Sequence, residues 1–228
     1  MRTRPTRSPS VRGLPRWVRG VLWITPVFAL ATVGGCPGTA TDSAALLQLS
    51  TDDHVLAVGS PPLTVIEYGD LQCPYCGEFA RDTFPAFKAR YIDTGQVRWV
   101  YRHLPLNNHP RAEPAAEASE CAAAQGRFWE YQDLLFHNQD ALADADLEGY
   151  AAQLGLDLNA FGDCLSSGAE AARVARDAQV AGALGAFVTP TFFIETRRVD
   201  GSLSLDEIST LVDQALAQAA TAGTPGGV

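Results

Sequence analysis

The residue types best suited to chemistry in this chain are two cysteines three positions apart, in Cys73-Pro-Tyr-Cys76. Two thiols at that spacing can close on each other as a disulfide, so the pair can exchange two electrons with another dithiol. A free thiol has a pKa of about 8.5, which leaves little nucleophilic thiolate at pH 7, and a helix N-terminus lowers that value to roughly 3.5–7. Pro74 suits the first helical position, where its missing N–H would be unpaired anyway. Cys73 then falls at the N-cap, beside free N–H groups and the positive end of the helix dipole. Cys76 lies one turn in and is expected to be less accessible. The same spacing serves as half of a zinc site or as a structural bridge. No second pair follows at comparable spacing, and a bridge over so short a loop adds little. Redox chemistry is the preferred reading, with no metal and no cofactor beyond a Cys73–Cys76 disulfide.

The elements that must position this pair can be read on either side of it. Leu63, Val65, Ile66 and Tyr68 have the β-branched and aromatic character of a buried strand, preceded by an edge strand near 54–58. Asp70 is expected to cap or turn the loop that follows. The helix opened by Pro74 carries Phe79, Phe84 and Phe87, and Pro85 inside it predicts a kink or break. Val97 to His103 alternates as a strand. From Pro105 to about Val180 the chain becomes alanine-rich, with helices expected over 113–124, 126–138, 146–154, 158–166 and 169–184. The cluster Phe128-Trp-Glu-Tyr131 reads as core. Strand character returns at Thr191–Ile194 and Arg197–Val199, and Ser204 with Glu207 forms a capping box for a last helix.

The first 35 residues differ from the rest. Arg2, Arg4, Arg7, Arg12, Arg16 and Arg19 precede an apolar run from Val21 to Val33, then Gly34-Gly35 and Cys36. Basic, apolar, then small is the order of an export signal, and the run is shorter than the ~20 residues that span a bilayer. Cys36 after Val33-Gly34-Gly35 resembles the lipobox of bacterial lipoproteins, although Val33 stands where Leu is commonest and Pro37 is unusual. Lipidation of Cys36 is the preferred reading; ordinary cleavage and an uncleaved membrane anchor are the alternatives. All three place the domain outside the cytoplasm, on the periplasmic or cell-envelope side.

The 228-residue chain is 46% hydrophobic and carries 17 basic and 26 acidic residues. Without the six leader arginines, 11 basic residues face 26 acidic ones, a charge of −15. With Lys88 as its single lysine, such a surface argues against nucleic acid or anionic membrane as a partner. The expected organisation is an export signal over 1–35, a tether over 36–52, an α/β part over 53–104, a helical insertion over 105–183, the rest of the α/β part over 184–220, and a loose tail over 221–228. Export makes a stable Cys121–Cys164 bridge permissible; a second redox pair and free thiols are the alternatives.

Strand, Cys73-Pro-Tyr-Cys76, helical insertion, and then Val188-Thr-Pro190-Thr-Phe-Phe-Ile194 together resemble the thioredoxin superfamily. More narrowly, they resemble the DsbA-like exported thiol-disulfide oxidoreductases, whose thioredoxin fold carries an inserted all-helical domain. The resemblance implies that Pro190 is cis and lies across from the active cysteines, where the backbone beside it pairs with a substrate strand. It also implies that Thr189 brings a hydroxyl near the sulfurs, and that Glu67 is a buried acid carrying protons for the inner cysteine. A core threonine and a solvent-facing Glu67 are the plainer readings. Pro74 and Tyr75 complete the expected site. His103 and His109 are expected at the cap interface as hydrogen-bonded structural residues. Two departures from the family stand out: Val188 where Gly is frequent, and Glu195-Thr196 where Asn-Gly would suit a tight hairpin, which predicts a longer turn.

The activity so implied is thiol-disulfide exchange, most simply a dithiol oxidase that introduces disulfides into exported thiol proteins and is reoxidised by a membrane quinone-linked oxidase. A monomer is expected. A reductase or isomerase of the same fold is the first alternative, and a non-enzymatic tethered binding or chaperone module is the second.

Overall fold

The computed structural model describes residues 40–222. The export signal, Cys36 with its lipidation, and nearly all of the expected tail lie outside the described residues. Five strands form one mixed sheet in the order β1-β3-β2-β4-β5: β1 (His54–Leu56), β2 (Leu63–Gly69), β3 (Val97–His103), β4 (Thr191–Ile194) and β5 (Arg197–Asp200). β2 and β3 run parallel, with Glu67 opposite Tyr101, and β2 meets β4 antiparallel, with Glu67 opposite Phe192.

Because β2 is central, both of its faces are covered, which explains its near-continuous apolar sequence. Leu63 and Val65 pack on one face with Phe79, Phe87, Trp99 and Phe192, while Ile66 and Tyr68 pack on the other with Val100 and Phe193. Side chains alternate along a strand, so Glu67 points to the same face as Val65, the face that carries the cysteine-bearing helix.

A parallel pair needs a crossover, and this one is a single helical run from Pro74 to Ile92. It comprises α2 (Pro74–Glu78), a wide π-turn over Phe79–Thr83, α3 (Phe84–Phe87) and a second wide turn over Lys88–Ile92. Of the kink or break expected at Pro85, the break does not occur, and the helix instead widens just before it. The Phe84 N–H bonds back to Phe79 O, five residues away, and a turn of that width accommodates a proline that would otherwise clash with a preceding carbonyl.

Between β3 and β4 lie α4 (Ala112–Ala123), α5 (Phe128–His137), α6 (Asp144–Gln153), α7 (Leu158–Ser167) and α8 (Ala171–Ala183). These are the five helices read from the sequence, shifted by one or two residues at their ends. Phe128, Tyr131, Leu135 and Phe136 are core residues of this cap, and Cys121 of α4 is bonded to Cys164 of α7, with their Cα atoms 5.8 Å apart. At the N-terminal end, α1 spans Ala40–Leu46. α9 (Leu205–Ala222) closes the fold, its capping box formed by Ser204 and Glu207. None of the helices among the described residues is long and apolar enough to cross a membrane.

The β4–β5 hairpin corrects a second expectation. Its turn is the tight two-residue Glu195-Thr196, with Glu195 in a left-handed conformation at φ 54°. Sequence preference alone favours Asn or Gly there. The conformation is held from outside the hairpin: the Thr64 N–H donates to Glu195 Oε1 at 3.0 Å, and the Glu195 N–H donates to Thr64 O at 3.0 Å.

Candidate active site

Cys73 and Cys76 are both buried free thiols, with Cys73 at the N-cap of α2 and Cys76 in its first turn. The Cys73 backbone is extended (φ −68°, ψ 123°), so its sulfur sits at the helix mouth. Cys73 Sγ donates to the carbonyl of Thr189 at 3.4 Å. The Thr189–Pro190 peptide is cis, and its loop is pinned by the Thr191 hydroxyl, which donates to Val188 O at 2.8 Å, and by the Gly201 N–H, which donates to Pro190 O at 2.8 Å. The structure therefore brings together Cys73, Pro74, Cys76, Thr189 and Pro190 from stretches more than a hundred residues apart. The direct contact from Thr189 is made by its backbone carbonyl, and its buried hydroxyl faces the same sulfur.

The two thiols are electrostatically unlike. A hydrogen bond from the Cys76 thiol, supported by the Thr189 side chain and by the Cys76 and Tyr75 backbone N–H groups, pushes Cys73 down to about 5 against the opposing effect of burial. Burial pushes Cys76 well above the ordinary thiol value, and the neighbouring Cys73 and Glu67 add to it. Cys73 is thus held toward the thiolate at neutral pH and Cys76 toward the thiol. Glu67 is 5% exposed, its Oε1 has no hydrogen-bond partner, and burial pushes its carboxyl up to about 8. The solvent-facing reading of Glu67 is not the one observed.

Three large apolar side chains next to the cysteine pair and the cis-proline in sequence are exposed. Tyr75 is 62% exposed and Phe187 71%, with Val188 half exposed between Phe187 and the cis bond. Side chains of this kind left in water beside a reactive group mark a contact surface.

Two positioning groups carried little signal in the sequence. Asp70, expected only to turn the loop, accepts the N–H groups of Gln72 (2.7 Å) and Cys73 (3.1 Å) on Oδ1. On Oδ2 it accepts the Leu106 N–H (2.9 Å) and meets His109 Nδ1 (2.8 Å). Gln139, in the loop after α5, donates from Nε2 to the carbonyls of Leu71 (3.0 Å) and Cys73 (2.8 Å). Nothing in its local sequence marks Gln139, because the contact is made across 66 residues.

His103 is hydrogen-bonded at the cap interface, as expected, and belongs to a cluster with His54, Glu120 and Arg173. His54 Nε2 lies 2.7 Å and His103 Nε2 2.8 Å from Glu120 Oε1. Two imidazoles and a carboxylate converging in this way have the donor set of a cation site. Here Arg173 lies on the same groups, with Nη1 3.0 Å from Glu120 Oε2 and Nη2 2.9 Å from His54 Nε2. A guanidinium thus supplies the positive charge, and the cluster clasps α4 and α8 of the cap to β1 and β3.

Comparison with known proteins agrees with this geometry. The family model described as Thioredoxin matches residues 51–214. Wolbachia pipientis α-DsbA1 superposes with a TM-score of 0.70 at 27% identity, over 79% of this chain and 98% of that one. Oxidised BdbD from Bacillus subtilis superposes at 0.66 and 25% identity, over 72% of this chain and 93% of that one. Among curated proteins, Na(+)/H(+) antiporter NhaA 3 of Salinispora tropica is 45% identical over 168 residues, which are 73% of this chain and 25% of the antiporter. The chain thus spans about a quarter of the length of the curated relatives it matches. The match over residues 51–214 makes the chain a member of the thioredoxin family, and its helical cap and cis-proline loop give it the fold of the DsbA structures.

Proposed function

We propose that the protein works outside the cytoplasm as a dithiol oxidase, inserting disulfides into exported proteins. The observation that carries this reading is the placement of Cys73 at the N-cap of α2 against the cis Thr189–Pro190 loop, where the Cys76 thiol pushes Cys73 down to about 5. A thiolate stabilised only in the reduced state pulls the enzyme toward reduction and makes its disulfide an oxidant. Each pKa unit is worth about 1.4 kcal/mol, or roughly 30 mV for a two-electron couple. A value near 5 lies between the roughly 7 of thioredoxin and the roughly 3.5 of the strongly oxidising DsbA.

In this mechanism a substrate thiolate enters over Tyr75, Phe187 and Val188, its backbone pairing beside Pro190, and attacks Cys73 Sγ. The Cys73–Cys76 bond breaks and its electron pair leaves on Cys76, while a mixed disulfide joins substrate to Cys73. A second substrate thiolate displaces Cys73, which departs as the stabilised thiolate. Glu67 carries the proton that Cys76 takes up. A membrane quinone-linked oxidase then restores the Cys73–Cys76 disulfide. The basic and apolar leader with Cys36 supports export and attachment to a membrane, as does the occurrence of related sequence within proteins named as antiporters.

Equilibration of the full chain with glutathione tests the direction. A potential near about −120 mV is expected of an oxidase, and one near about −270 mV would instead mean a reductase. Loss of exchange in Cys73→Ser with folding intact separates both from a non-enzymatic chaperone module.

A further inference from the structure

One side chain of the cap reaches the mouth of the redox helix. Gln139 lies in the turn after α5, and its Nε2 donates to the carbonyls of Leu71 at 3.0 Å and Cys73 at 2.8 Å. At its other end, Oε1 accepts from Arg81 Nη1 at 3.3 Å, and the same Nη1 donates to the Phe136 carbonyl of α5. Arg81 belongs to the crossover helix, in the wide turn after α2. The Gln139 amide therefore runs along the first turns of that helix, from a guanidinium to the Cys73 carbonyl. Gly77 makes the room for it. A Cβ on Gly77 would come within 2.6 Å of Gln139 Cδ and closer still to Oε1. Glycine inside a helix is ordinarily destabilising relative to alanine, and the α2 backbone at Gly77 has no positive φ that would call for one. The space taken by the amide accounts for this glycine.

The Cys73 carbonyl also accepts the Gly77 N–H at 3.1 Å. Its oxygen is a negative partial charge on the same residue as the reactive sulfur, and two donors offset it. They also hold the extended Cys73 backbone that sets Sγ at the helix mouth. The Arg81 charge polarises the amide between them, and hydrogen bonds linked in a chain strengthen one another. We propose that Gln139 is a positioning residue of the redox pair, through which the cap fixes the Cys73 carbonyl and favours the Cys73 thiolate. The inference rests on the reading of Cys73 as the attacked and departing sulfur, and adds the cap as a contributor to its redox balance. The ionisable groups beside Cys73 are Cys76 of the same helix and Asp70, whose Oδ1 accepts the Cys73 N–H at 3.1 Å. Arg81 acts on it through Gln139.

Two readouts on the full chain test this: the Cys73 thiolate titration, followed by ultraviolet absorbance with Cys73→Ser as baseline, and the equilibrium with glutathione. Gln139→Met keeps the bulk of the side chain and loses the donor. In that variant the Cys73 titration is expected to move up, and the disulfide to become about five-fold weaker as an oxidant, or roughly 20 mV. Gly77→Ala pushes the amide aside and is expected to give the same shift. In a Gln139→Ala background the space is vacant, so adding Gly77→Ala is expected to move neither readout further. A loss of packing alone would lower stability and leave both readouts of the folded protein in place. If Gln139→Met titrates and equilibrates as wild type does, the proposal fails. It fails equally if Gly77→Ala shifts both readouts as far without Gln139 as with it. Should Gln139→Met not fold, the two Gly77→Ala comparisons decide by themselves. A wild-type potential at the reductase end would overturn the oxidase reading and leave this comparison between variants standing.

Discussion

Asp70 Oδ2 and His109 Nδ1 meet at 2.8 Å across 39 residues of sequence, joining the cysteine loop to the segment that leads into the cap. The Asp70 side chain is fully buried, and its two oxygens together face three backbone N–H groups and the imidazole. The N-terminus of α2 is therefore located by a carboxylate rather than by packing alone.

Replacing Asp70 tests this arrangement. Asp70→Ala leaves four groups without their acceptor, and hydrogen bonds to a charged group are worth about 1.5–3 kcal/mol each. A loss of at least ~3 kcal/mol is expected in urea unfolding. Asp70→Asn keeps one oxygen for Gln72 and Cys73 but turns an amide toward the Leu106 N–H and His109, so an intermediate loss is expected. An Asp70→Ala protein as stable as wild type would mean that the loop is held by other contacts.

Glu67 gives a pH-dependent prediction whose sign follows from its burial. Its folded value of about 8 lies above the ordinary 4.5, so the protein binds a proton that the unfolded chain has released between these two values. This contribution is fully present below pH 4.5 and is lost as pH rises toward 8. Glu67→Gln cannot titrate, so its stability relative to wild type should rise by about 3–4 kcal/mol between pH 4.5 and 8. Chemical denaturation of both proteins at these two pH values measures the difference, and any constant effect of the amide cancels. A gap that does not change with pH would show that Glu67 ionises normally.

The legibility of this chain in its sequence follows contact range. Cys73 and Cys76 could be assigned because the strand, the proline and the spacing are all local signals. The five cap helices were visible for the same reason. The continuity of the helix through Pro85 was not, because widening one turn to Phe79 O is a tertiary solution to a local conflict. The tight Glu195-Thr196 turn was missed likewise, since the Thr64 backbone that holds it comes from another strand. Gln139 and the clasp of His54, Glu120 and Arg173 are assembled from four parts of the chain whose spacing has no period. Residues that bind through the fold rather than along it leave no pattern to read.

The clasp yields the last prediction. Burial alone would raise the Glu120 carboxyl, but hydrogen bonds from His103 and His54 hold it down at about 2, and the Arg173 guanidinium lies 3.0 Å from its Oε2. Burial, the dominant influence on His54, lowers its pKa. Removing one partner of a buried ion pair typically costs 3–5 kcal/mol, because the other charge is left without compensation. Glu120→Ala is expected to lose about that much at pH 7. A carboxylate with a depressed folded value contributes stability above about pH 4.5 and loses it as pH falls through about 2. The deficit of Glu120→Ala relative to wild type should therefore shrink steadily below pH 4.5, as wild type gives up what the variant never had. Because the clasp joins cap to sheet away from the sulfurs, the glutathione equilibrium of Cys73 and Cys76 should be the same in both proteins. A deficit that persists undiminished at pH 2.5 would mean that Glu120 contributes by packing and not by charge.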